Sequence, residues 1–126
     1  MRVIVFGREN TIQRLAASLA GEGIEVVSTK ARPEEEGFDV AIVDGLVDEA
    51  GVICQRIKEL WGIPVVLIVR GRQADWERLQ SLNTDGYISK GMGAAELAAR
   101  LRAVVRRRSE WEKVRYNLEQ KQSIYC

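Results

Sequence analysis

The 126-residue sequence contains no histidine. Any site the chain builds therefore lacks the commonest general base, proton shuttle and metal ligand. Cysteine occurs twice, at Cys54 and Cys126, too few and too far apart for a zinc site. Cys54 falls in a helical pattern and is expected to be a buried structural thiol. No apolar run approaches the roughly 20 residues of a membrane span. The first strand pattern starts at Arg2 with no charged-then-apolar leader before it, so the expectation is a cytoplasmic protein that makes no membrane contact. Glycine-rich phosphate cradles are also missing. Gly7-Arg8-Glu9-Asn10 after the first strand is not a G-x-G-x-x-G turn, and there is no P-loop. No nucleophile–base pair is present, which argues against an enzyme, and neither a cofactor nor a metal is expected.

A large excess of one sign of charge is also lacking, the net being +1, but the distribution is uneven. Residues 1–93 carry 11 Lys/Arg against 14 Asp/Glu, whereas residues 94–126 carry 8 against 4. The basic excess therefore belongs to the C-terminal segment. Arg106-Arg107-Arg108 is followed closely by Glu110 and Glu112 and reads as a solvated helix face. Only 18 residues follow Arg108, too few for a helix-turn-helix module, so nucleic-acid binding is not expected.

What is present alternates. Strand patterns are Arg2–Phe6, Ile24–Val27, Val40–Val43, Pro64–Val69 and Tyr87–Ser89. Three of these are continuous apolar runs, as suits parallel strands covered on both faces. Helical stripes lie between them: Ile12, Leu15, Ala16 and Leu19, capped by Asn10 or Thr11; then Val52, Ile53, Ile57 and Leu60; then Trp76, Leu79 and Leu82; and finally Ala94, Leu97, Ala98, Leu101, Val104 and Val105. Strand–helix alternation of this kind predicts one α/β domain with a parallel sheet. Only nine residues, Thr29 to Gly37, separate the second strand from the third, so a second helix of about one turn at Pro33-Glu34-Glu35-Glu36 is expected.

The last helix pattern is too long for the sheet. A five- or six-residue strand spans roughly 17–20 Å, whereas a helix from Ala94 to Gln120 spans roughly 40 Å. Leu97, Val104, Trp111, Leu118 and Tyr125 recur every seven residues, with Val114 between two of them. This narrow seam reads either as a dimerising or partner-binding rod or as a loose tail folded back on the body. The division expected is a domain over residues 1–107 and a helical extension over 108–126.

In an open parallel sheet, ligands sit at the carboxyl ends of the strands. Gly7-Arg8-Glu9, Asp44, Val69-Arg70-Gly71 and Lys90 all fall at such ends and should converge. At these residues the chain resembles the response-regulator receiver family over residues 2 to about 107. Phe38–Asp44 resembles the strand bearing the phosphoacceptor aspartate. Pro64–Val69 resembles the fourth strand, and Asp85–Gly91 the segment with the switch aromatic and the phosphate-binding lysine. The resemblance implies a flavodoxin-like, doubly wound, five-stranded sheet of order 2-1-3-4-5 with a shortened second helix and an extended last one. It further implies Asp44 as the phosphoacceptor equivalent, Lys90 as the phosphate-binding equivalent and Tyr87 as the switch aromatic.

The departures from the family pattern are concentrated at the metal. Gly7 and Arg8 stand where two acidic residues would hold Mg²⁺, and Val69 stands in place of a hydroxyl. Arg70 replaces a small residue, Gly91 replaces a proline, and Asp48 replaces another. The expected consequence is an ion pair from Arg8 or Arg70 to Asp44 in place of the metal. Tyr87 is either packed or an exposed contact. The reading that follows is an atypical receiver in two-component signalling. It would act by protein–protein contact, with a histidine kinase or a downstream protein as partner and a homodimer through the last helices. Two alternatives stay open: a true phosphoacceptor at Asp44 served by a histidine kinase, and an anion or nucleotide sensor using the arginine-lined cleft.

Overall fold

The structure, a computed structural model, describes residues 1–28, 37–45, 49–69, 84–89 and 91–125, with the backbone alone for 120–125. Within these lie β1 (Arg2–Phe6), α1 (Glu9–Ala20), β2 (Glu25–Ser28), β3 (Val40–Asp44), α2 (Ala50–Trp61), β4 (Val65–Val69), β5 (Gly86–Ser89) and α3 (Ala94–Tyr125). The expected short helix at Pro33–Glu36, the Trp76–Leu82 stripe, Asp48, Arg70, Gly71 and Lys90 fall outside the described residues.

The five strands form one sheet of order β2-β1-β3-β4-β5, every neighbour pair parallel. The apolar runs of β3 and β4 are buried at every position, because both sheet faces are covered there. Side chains alternate across the sheet. Val3, Val5, Val40, Ile42, Val66 and Ile68 point to one side and pack with Leu15 and Leu19 of α1 and Leu97, Ala98, Leu101 and Val104 of α3. Ile4, Ala41, Val43, Val65, Leu67 and Val69 point to the other and pack with Ala50, Cys54 and Ile57 of α2. Phe6 and Phe38 meet Trp61 there at ring-centroid distances of 6.1 and 5.9 Å. Burial pushes the Cys54 thiol above its ordinary value, an effect partly offset by the Lys58 ammonium.

Several helix details differ from the sequence expectation. α1 starts at Glu9 with Arg8 in the N-cap position, and no side chain caps it. Asn10 lies inside the first turn, where its Oδ1 accepts the Thr11 N–H at 2.9 Å. In α2 the expected stripe holds only in part: Ile57 is buried and Ile53 packs on the same cluster, but Val52 and Leu60 are 57% and 74% exposed, while the smaller Ala50 and Cys54 are buried. α2 ends at Gly62 in the left-handed region (φ 62°), its N–H bonded to the Lys58 carbonyl at 3.1 Å.

α3 is a single 32-residue helix that passes through the expected boundary at residue 107 without a break, and at 1.5 Å per residue it spans about 48 Å. Two of its arginines hold the ends of the other helices. Arg102 donates to the Glu22 carbonyl just past α1 (2.7 Å), and Arg108 donates to the Gly62 carbonyl at the end of α2 (3.1 Å). Cations suit helix C-termini, where carbonyls stand unsatisfied. Arg108 is thus part of the body, unlike exposed Arg106 and Arg107. Leu97 and Val104 of the seven-residue seam are core residues, whereas Trp111, Val114 and Leu118 are about half exposed. Tyr125 lies among the residues described by backbone only. Among the described residues, no helix is long and apolar enough to cross a membrane.

Candidate functional site

Alternation along β3 puts Asp44 on the α1 side of the sheet, at the carboxyl end of the strand. Its side chain is 3% exposed, and it is the one buried charged residue among those described. Burying a carboxylate is costly unless partners satisfy it. Arg8 supplies one, its Nε lying 3.6 Å from Asp44 Oδ2. Thr11, in the first turn of α1, supplies another, its hydroxyl donating to the same oxygen at 3.4 Å. The β1–α1 corner therefore brings both partners to the carboxylate: Arg8 ends the approach to the helix and Thr11 follows on the inner face.

Gly7 is pressed against the same residue. A Cβ at position 7 would sit 2.8 Å from Asp44 Cβ, closer than real Cβ contacts allow. No side chain fits there unless the corner shifts. This bears on magnesium, which the receiver resemblance implies. Mg²⁺ needs near-octahedral oxygen ligation and usually draws on carboxylates. Among the described residues, no group of three His, Cys, Asp or Glu could hold a metal ion. Asp44 is flanked by a guanidinium on one side and a glycine with no room for a carboxylate on the other. These residues do not fit the ion.

The other expected site residues are spread differently. Val69, 8% exposed, packs with the α2-side cluster and so belongs to the sheet face opposite Asp44. Tyr87 is half-buried, packing against that same cluster while lining a groove of about 380 Å³ with Asp85, Arg100, Ala103 and Arg107. Lys90 and Arg70 lie outside the described residues. The structure thus brings Gly7, Arg8 and Asp44 together and places Val69 and Tyr87 elsewhere.

Sequence reasoning missed the wall opposite Asp44. A cleft of about 310 Å³ opens between α1 and the start of α3, lined by Thr11, Arg14 and Ser18 from one helix and Ser89, Met92 and Leu97 from the other side, with Asp44 and Ile68 on its floor. Thr11, Arg14 and Ser18 are spaced by three and four, so a polar face on α1 was legible in the sequence. Its meeting with β5 and α3 was not.

No protein-family model matches the chain. A 77-residue stretch, 59% of this chain, is 35% identical to the heme response regulator HssR of Staphylococcus aureus strain Newman. That stretch covers 34% of HssR, so the chain spans about a third of the length of the curated relatives it matches. A response regulator receiver domain (CheY-like) from Methanospirillum hungatei JF-1 superposes with a TM-score of 0.69 at 17% identity, covering 86% of this chain and 96% of that one. The fold is that of a response-regulator receiver domain. A two-component response regulator from Clostridium difficile gives a TM-score of 0.64 at 21% identity, over 84% of this chain and 95% of its own. The receiver fold places Asp44 at the carboxyl edge of its central strand, where the ends of β1 and β4 flank it.

Proposed function

We infer that the chain is an atypical receiver domain of a two-component signalling system, one that works through protein–protein contact and not through magnesium-dependent phosphorylation of Asp44. The observation that carries this reading is the Arg8–Asp44 pair at 3.6 Å beside a glycine too tightly packed to be a carboxylate. Attack by an aspartate on a phosphoryl donor needs the incoming oxygens neutralised by metal and cation. A guanidinium is a fixed monovalent charge with no coordination sites, and here it already neutralises the attacking group. Lys90 is the phosphate-binding equivalent on this reading, without a phosphoryl group to bind. The experiment is incubation with acetyl phosphate and Mg²⁺ followed by intact mass. The expected result is no gain of about 80 Da, the mass of one phosphoryl group. A labile gain mapped to Asp44 would replace this reading with that of an ordinary phosphoacceptor served by a histidine kinase.

The contact surface proposed is the Tyr87 edge together with the projecting part of α3. Trp111, Val114 and Leu118 are 58%, 48% and 54% exposed on a helix whose ion pairs, Arg108–Glu112 and Arg115–Glu119, are internal i,i+4 pairs. Trp at the centre of an apolar strip is a frequent binding anchor. The occupant proposed is a second copy of the same helix, giving a homodimer. Sedimentation equilibrium tests it: dissociation on dilution should be shifted to higher concentration by Trp111→Ala, and a chain that is monomeric throughout overturns the homodimer.

A further inference from the structure

The cleft between α1 and α3 has no role in the contact reading, yet its lining is not that of a packing defect. Apart from the buried Asp44 its inner lining is apolar, formed by Leu15, Ile68, Ile88 and Leu97, and its mouth is cationic, formed by Arg8 and Arg14. A volume of about 310 Å³ is at the lower end of ordinary ligand pockets. With about 30 Å³ per water-sized group, it accommodates roughly ten non-hydrogen atoms. Met92 lines one wall, and methionine adapts to irregular shapes.

Charge selects the occupant. Among the described residues, the lining carries two guanidiniums and one carboxylate. The carboxylate, Asp44, is 2% exposed and held by Arg8 and Thr11, so it offers little to a visitor. The accessible charge is positive: the Arg8 side chain is 51% exposed, and Arg14, also exposed, has no acidic partner among the described residues. Thr11, Ser18 and Ser89 add hydroxyls on the walls. A ligand complementary to this cleft has an anionic head at the arginines and a short apolar body on the floor.

We propose that the cleft binds a small amphipathic organic anion, a carboxylate or phosphate ester of roughly ten non-hydrogen atoms in all. A ligand head at Arg8 draws on the same guanidinium that faces Asp44, so occupancy changes the partner of the buried carboxylate. The proposal rests on the atypical-receiver reading in one respect: Arg8 must stay in the cleft rather than yield to a metal.

The test uses the full chain labelled with ¹⁵N and octanoate as the probe, with octanol and inorganic phosphate as controls. Octanoate should bind saturably and move the amide signals of Thr11, Ser18, Ser89 and Met92. Octanol and phosphate, each carrying half of the recognition, should bind at least tenfold more weakly. Arg14→Gln, on an exposed residue, should fold normally and weaken octanoate roughly tenfold, the loss expected for one charge-assisted contact. Ser18→Leu, which fills the cleft, should abolish binding, with circular dichroism confirming that it folds. No saturable binding by octanoate, equal binding by phosphate or octanol, or binding unchanged in Arg14→Gln and Ser18→Leu would each overturn the proposal. A parallel arm with acetyl phosphate and Mg²⁺ keeps the two ideas apart, since phosphorylation there defeats the atypical-receiver reading whatever octanoate does.

Discussion

Replacing Gly7 tests the packing on which the site depends. In Gly7→Ala the new methyl falls 2.8 Å from Asp44 Cβ. Neither partner is the end of a flexible chain: one is set by the β1–α1 corner, the other by a strand paired on both sides. Overpacking of this kind costs about 1–3 kcal/mol. The reduced entropy of the unfolded chain offsets about 0.4–1 kcal/mol of it, leaving a net loss of about 1.3 kcal/mol at the middle of both ranges and of at most about 2.6 kcal/mol. For a domain of this size each kcal/mol lowers Tm by about 3–5 °C. Gly7→Asp adds a second carboxylate beside a buried one. Two like charges about 4 Å apart repel by about 4 kcal/mol at an effective dielectric of about 20, so the aspartate variant should be clearly less stable than the alanine variant. The assay is urea denaturation followed by far-UV circular dichroism, with and without Mg²⁺. The reasoning fails if Gly7→Ala is as stable as the parent, or if Mg²⁺ restores Gly7→Asp to the stability of Gly7→Ala, since a metal would then fit the corner after all.

Arg8→Gln should cost about 1–2 kcal/mol, below the 3–5 of a fully buried pair because Arg8 is half exposed and Thr11 still bonds the carboxylate. In a double-mutant cycle with Asp44→Asn most of that loss should vanish, and additive losses would mean the two residues do not interact. The Cys54 thiol should resist a water-soluble disulfide reagent until the chain unfolds. Its raised folded-state pKa means that stability is fully present below the ordinary value of 9.0 and is lost as pH rises beyond it, because the unfolded thiol ionises first. Cys54→Ala should flatten that alkaline decline, and an identical decline in the variant would assign it to other groups. Leu101→Ala, at a fully buried position, should cost about 2–5 kcal/mol in a denaturant melt. Exposed Trp111→Ala should change the stability of the monomer by no more than about 0.5 kcal/mol, and a large loss there would mean the rod packs on the body.

The central strands were legible because burial on both faces leaves nothing but apolar residues between Val40 and Val43 and between Val65 and Val69. Asp44 stood out for the same reason, as a charge closing such a run. The helices were less transparent. α2 turns Ala50 and Cys54 to the sheet together with Ile57 and leaves Val52 and Leu60 outside, so side-chain size alone did not mark the buried face. Arg8 carries no intrinsic signal for an N-cap, and its side chain makes no capping bond. The seven-residue spacing in α3 is real, but periodicity does not distinguish a helix's own sheet from a partner. Leu97 and Val104 spend it on the core, and Trp111 and Leu118 carry it into solvent. The cleft was not legible in the sequence, because α1, three strand ends and the start of α3 meet there from distant parts of the chain.

The most direct test of the arginine-for-metal account is a Mg²⁺ titration of the ¹⁵N-labelled protein, following the amides of Gly7, Arg8, Asp44 and Gly45. The account predicts that these signals stay in place through millimolar Mg²⁺, with only the uniform drift of rising ionic strength. A saturable, localised shift of those four amides would show a divalent cation seated at Asp44 and would contradict it.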